Sequence, residues 1–136
     1  MLIEVDLRSH VPVYVQIVDR IGTLIAGGAL KPGDQLPTVR QLATDLRVNF
    51  NTVARAYRLL DEAGVISTQQ GRGTYVVEAL PADQAGRLRR ATLESLARSF
   101  VADAGRMGFS PEEVERAFGR QLSEWRAAGR APAPPE

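Results

Sequence analysis

The sequence predicts a mainly α chain with one small β-hairpin: three short helices, the hairpin, then two further helices at the C-terminal end. Three observations predict it. Apolar residues recur at spacings of three and four in five separate segments. Two capping boxes, Thr38 with Gln41 and Ser110 with Glu113, stand at the heads of two of them. A Gly71-Arg72-Gly73 triplet lies between two short β-prone runs.

Taken in order, residues 2–7 (LIEVDL) alternate, with Ile3, Val5 and Leu7 on one side and Glu4 and Asp6 on the other, which predicts a short half-buried strand. Pro12 suits the first turn of a helix, where its missing N–H costs nothing. Val13, Ile17, Ile21, Leu24 and Ile25 then form a helical stripe that Gly27 and Gly28 stop. Residues 31–37 (KPGDQLP) predict a turn. Thr38 is the expected N-cap of a second helix striped by Val39, Leu42, Ala43 and Leu46. Residues 47–51 (RVNFN) break it, Asn49 caps a third helix through TVARAYRLLDEAG, and Gly64 ends that one. Val65-Ile66 starts a strand, QQGRGT turns, and Tyr75-Val76-Val77 returns.

Pro81 marks a boundary. Residues 83–104 predict a helix with Leu88, Leu93, Leu96, Ala97, Phe100, Val101 and Ala104 on one side, ended by Gly105 and Gly108. Pro111 at the first position after Ser110 opens a last helix, striped by Val114, Ala117, Phe118, Leu122 and Trp125. The tail GRAPAPPE lacks the apolar residues to fold. The expected division is 1–78, a winged helix-turn-helix domain; 79–128, a two-helix dimerisation region; and 129–136, a disordered tail.

Composition narrows the function. The chain has 136 residues, a net charge of +1, no cysteine and one histidine, His10. Zero Cys removes disulfides and thiolate metal sites, and a single His argues against a His-rich metal centre or a Ser-His triad. No apolar run approaches the roughly 20 residues that cross a bilayer, and MLIEVDLRSH does not read as a signal peptide, so a cytoplasmic protein is expected. Asp61 and Glu62 sit at a helix end beside no nucleophile, metal-ligand set or cofactor cradle, so no enzyme, metal or cofactor is expected. Residues 1–78 carry eight basic and eight acidic residues, yet 38–60 holds Arg40, Arg47, Arg55 and Arg58 against Asp45 alone. A near-neutral chain with one basic stretch suits local site reading, not electrostatic coating.

On a wheel at ~100° per residue, Val53, Tyr57 and Leu60 of the third helix share one face, and Asn51, Arg55 and Arg58 the other, flanked by Thr52. Arginine can pair with guanine O6/N7 and asparagine with adenine N6/N7, and free N–H groups at a helix start can bind phosphate. By itself this face reads equally as a solvated charged surface. The hairpin tip favours nucleic acid: glycines let the backbone come close to a duplex, and Arg72 can enter a minor groove.

Residues 12–77 resemble the winged helix-turn-helix domain of GntR-family bacterial transcription regulators, the YtrA-like subfamily in particular. PVYVQI (12–17), LKPGDQLPTVRQLA (30–43), VNFNTVARAYRLL (48–60), GVI (64–66) and GRGTYV (71–76) carry the resemblance. The subfamily reads VNPNTV, and here Phe50 replaces the proline. The resemblance implies DNA contacts from Thr38 and Arg40 on the second helix, from Asn49, Asn51, Thr52, Arg55 and Arg58 at the third, and from Gly71, Arg72 and Gly73 in the wing. Other branches carry arginine where this chain has Phe50 and Ala54, so their base contacts there do not transfer. The subfamily's short tails imply a homodimer on a palindromic operator, acting as a repressor and often on transporter operons.

Only 58 residues follow Glu78. Two amphipathic helices are expected to enclose no metabolite pocket of the usual ~300 Å3, and so no small-molecule effector is expected. They can make a dimer interface, with Leu93, Leu96, Phe100, Phe118, Leu122 and Trp125 positioned to supply it. The alternative function is a winged-helix protein-interaction module whose basic face docks an acidic partner.

Overall fold

The computed structural model describes residues 3–77 and 81–134. The expected boundary at 78–79 and the ends of both termini lie outside them. Five helices and three strands run in the order α1 (Val13–Ala26), β1 (Gln35–Leu36), α2 (Val39–Leu46), α3 (Phe50–Glu62), β2 (Ile66–Gln69), β3 (Gly73–Val76), α4 (Pro81–Arg106) and α5 (Pro111–Ala128). This is the mainly α fold with a hairpin that the sequence predicts. The chain forms two compact units, Met1–Ser95 and Leu96–Glu136.

The first unit is built on three stripes that meet. Ile17 and Ile21 of α1, Val53, Ala56 and Leu60 of α3, and Val65 and Ile66 leading into β2 are almost wholly buried in one core. Both expected caps form on the helix-turn-helix. Thr38 Oγ1 accepts from the Gln41 N–H while the Gln41 side chain accepts from the Thr38 N–H. Asn49 Oδ1 accepts from the Asn51 N–H at 2.7 Å. Between the helices, Arg47 takes a left-handed conformation, φ 57°, so that α2 stops and the chain turns within three residues. α3 ends at Glu62 with Ala63 as its cap, and Gly64 follows in the left-handed conformation, as expected of the glycine that ends a helix: its N–H goes to the Asp61 carbonyl and the Val65 N–H to the Leu60 carbonyl.

Tyr57 fixes α3 against the entry to α2. Its hydroxyl donates to the Pro37 carbonyl at 2.6 Å, and burial pushes its pKa well above the ordinary tyrosine value, so the hydroxyl keeps its proton and goes on donating. Tyr57→Phe leaves that carbonyl short of a partner and should cost about 1–3 kcal/mol, read as a shift of the urea midpoint at unchanged slope.

Three expectations about elements are corrected. Residues 3–6 form no strand, because the partner of their backbone is a side chain: Gln16 Oε1 accepts from the Asp6 N–H and Gln16 Nε2 donates to the Asp6 carbonyl. Ile3 is still buried and Val5 packs against the core, but Leu7 is exposed. The turn at 31–37 contains a strand: Gln35 pairs with Tyr75 and Leu36 with Thr74, giving a three-stranded antiparallel sheet in the order β1-β3-β2. The helix expected over 83–104 runs to Arg106, with Gly105 inside it, and the stop is Gly108.

The first unit also takes in the beginning of α4. Gln84 is buried and donates to the Val77 carbonyl, Arg87 Nε donates to the Ala63 carbonyl at 2.8 Å, and Leu88 and Ala91 pack against the core. Tyr14 and Ser95 share a hydroxyl–hydroxyl hydrogen bond of 3.1 Å.

In the second unit, α5 opens on the expected box, with Ser110 and Glu113 satisfying each other's backbone and Pro111 following the cap. The Phe100 and Phe118 rings meet at 4.4 Å, inclined by 56°. Residues 131–134 have no regular secondary structure.

Candidate nucleic-acid interface

The face of α3 opposite the core is exposed at Asn51, Arg55 and Arg58 and half-buried at Thr52 and Ala54. The three exposed side chains do not share one environment. Arg55 lies on the flank toward α1, and its guanidinium carbon stands 3.9 Å above the ring centre of Tyr14. On the opposite flank Phe50, the first residue of α3, is exposed, and the guanidinium of Arg40 from α2 stands 5.9 Å from its ring centre. Asn51 and Arg58 sit between these flanks. The sequence therefore groups Arg55 with Asn51 and Arg58 by angle, whereas the structure ties Arg55 to α1.

Several polar atoms expected at the interface already have partners. The Thr38 hydroxyl oxygen and the Asn49 side-chain amide oxygen serve as caps. At the start of α3 the Asn51 N–H goes to Asn49 Oδ1, and the Thr52 and Val53 N–H groups go to the Asn49 carbonyl. The open row of N–H groups expected there for phosphate is mostly spent. Thr38 and Asn49 hold the helix starts in place and keep their hydroxyl and amide protons as donors.

The wing tip is held firmly at its backbone. The Arg72 carbonyl accepts from the Tyr75 hydroxyl at 2.7 Å and from Gln35 Nε2 at 3.4 Å, while the Arg72 N–H goes to the Gln69 carbonyl. Gly71 and Gly73 have φ of 76° and 118°. The Arg72 side chain is exposed at the end of this tied loop.

In the second unit Leu96, Phe100, Phe118, Leu122 and Trp125 are all exposed, as is Leu93 in the first. Of these the structure brings together Phe100 and Phe118. The sequence reading missed Met107 and Phe109, which are exposed in the turn between α4 and α5, where no helical stripe marks them. It also missed a groove of about 420 Å3 lined by Phe100, Met107, Phe109, Val114 and Arg120 among others. The groove is open to one side, so it is not the enclosed metabolite pocket that two helices are expected to lack. Among the described residues no group of His, Asp and Glu is placed to hold a metal, and no helix is long and apolar enough to cross a membrane.

A helix-turn-helix carrying Asn51 and Arg58 outward, followed by a hairpin with an arginine at its tip that completes a three-stranded sheet, is a winged-helix module of the kind that meets nucleic acid. The comparisons give the family. The model for bacterial regulatory proteins of the gntR family matches residues 13–76. The chain is 48% identical over 77 residues to the HTH-type transcriptional repressor YtrA of Bacillus subtilis (strain 168), a match spanning 57% of this chain and 59% of that protein. It is 33% identical to the HTH-type transcriptional regulator YhcF of the same organism, over 80% of this chain and 88% of that one. Among solved structures, YtrA from Sulfolobus acidocaldarius, a GntR-family transcription factor, is similar with a TM-score of 0.56 and 42% identity, covering 71% of this chain and 99% of that chain. The DNA-binding domain of AraR in complex with operator ORX1 is similar with a TM-score of 0.52 and 27% identity, covering 57% and 99%. The chain belongs to the gntR family of bacterial regulatory proteins.

Proposed function

We propose that this protein is a cytoplasmic transcriptional repressor that binds a palindromic operator as a homodimer, with α3 in the major groove and the wing beside it. The observation that carries the reading is the exposed pair Asn51 and Arg58 on the outward side of α3, whose other side is core. The likeness to an operator-bound domain and to a named repressor supports it. Asn51 and Arg58 read base edges, Arg40 reaches the DNA from α2, Arg72 brings positive charge from the wing, and Thr38, Asn49, Thr52, Gly71 and Gly73 shape the contacting backbone. Arg55 serves through Tyr14, setting α3 against α1.

Selection of sites from random DNA tests this, followed by binding of variants at several salt concentrations. Arg58→Ala and Asn51→Ala should each cost about 1–3 kcal/mol on the selected site and relax preference at one position. Arg72→Ala should weaken all sequences alike and lower the salt slope by about 1. Arg55→Ala should leave the preferred sequence unchanged. Salt-dependent binding without any selected sequence would favour the docking of an acidic protein instead.

A further inference from the structure

We propose that Phe50 and Arg40 act as one reading unit, the ring contacting the C5-methyl of a thymine and the guanidinium pairing with an adjacent guanine in each half-site. This rests on the proposed entry of α3 into the major groove. Phe50 is 49% exposed at the first position of α3. No core accounts for it, because Val53, Ala56, Tyr57 and Leu60 supply the buried side of that helix. An aromatic ring left in water at the tip of a helix loses the gain that burial would bring, unless something apolar covers it on binding. In the major groove the apolar group available is the methyl of thymine, which no other standard base carries.

Arg40 determines the neighbour. It lies on α2, exposed, with its guanidinium carbon 5.9 Å from the Phe50 ring centre. A guanidinium over a ring is held by the ring's negative face, which limits the swing of a long side chain and aims its planar fork. Bases along a strand rise by ~3.4 Å per step, so two groups about this far apart address neighbouring steps and not the same one. Arginine's preferred partner there is guanine, through O6 and N7. The pair therefore selects thymine beside guanine, and neither helix alone carries the signal.

The test uses the full chain and the operator it selects from random DNA. Each thymine is replaced in turn by deoxyuridine, which removes only the methyl. At one thymine per half-site, next to a guanine, uracil should weaken binding about fourfold, the weight of one buried methyl group. In Phe50→Ala the same replacement should have no effect, while preferences at positions read by Asn51 and Arg58 persist. Phe50→Leu should restore part of the methyl response. Circular dichroism establishes that the variants fold, and the uracil scan of the unaltered protein needs no variant at all. A protein that selects sites but responds to uracil at no thymine overturns this inference alone, as does a Phe50→Ala protein that keeps the response. A protein that selects no site overturns the proposed function as well.

Discussion

Leu60→Ala should lower the stability of the first unit by about 2–5 kcal/mol. Leu60 is 0% exposed, on the inner side of α3, and shares its core with Ile17, Ile21, Val53 and Ile66. Truncation removes three buried carbons and leaves a cavity that helices on several sides cannot close together. Small domains are stable by only about 5–15 kcal/mol, so this one change takes a large share. Chemical denaturation followed by far-UV circular dichroism measures it. Loss of DNA binding should track loss of helicity. A variant with native helicity and no DNA binding would move Leu60 from the core to the interface.

The second large effect is expected at the other end of the chain. Leu122→Arg combined with Trp125→Arg should give a monomer in sedimentation and reduce the preference for palindromes over single half-sites by about 10²–10⁴-fold. Both side chains are exposed on α5, so charging them should barely change folding. In the proposed dimer they meet a second copy, and that contact makes the second half-site binding intramolecular. The gain exists only where half-sites lie about one helical turn, or a multiple of it, apart. Neutral spacing dependence in the unaltered protein, or a dimer that survives both arginines, would assign this face to another occupant.

Helices were legible where the signal is local. Thr38 with Gln41 and Ser110 with Glu113 cap helices from residues three apart, and the stripes of α1 and α3 need only their own periodicity. Features that depend on distant residues were not. The alternation of Ile3 and Val5 is present, but a glutamine side chain takes the place of a neighbouring strand. β1 is two residues long and exists only because β3, nearly forty residues later, pairs with it. Gln84 and Arg87 lie off the apolar stripe expected for α4, yet each donates to a carbonyl of the first unit.

The same limit applies at the interface. A helical wheel places Arg55 facing outward but knows nothing of Tyr14, which α1 brings beneath the guanidinium. Phe50 showed in the sequence only as a departure from the subfamily's proline. Its partner Arg40 is ten residues upstream on another helix, and only the turn at Arg47 brings the two together.

The wing's last hinge has a consequence for how the protein can vary. Gly73 is confined by its backbone, because the side chain that a Cβ would meet is long and can swing aside. Its φ of 118° disfavours any L side chain, and a Cβ there would stand 2.5 Å from Gln35 Nε2. The usual escape from a steric conflict is a compensating change in the neighbour, but shortening Gln35 frees the space and leaves the backbone penalty untouched. It also removes a donor from the Arg72 carbonyl. Changes at 35 and 73 therefore cannot rescue each other, and no path of single neutral steps leads away from glycine. Arg72, Asn51, Arg58 and Phe50 carry no such backbone demand, so a new operator can be learned there without dismantling the loop that presents the arginine.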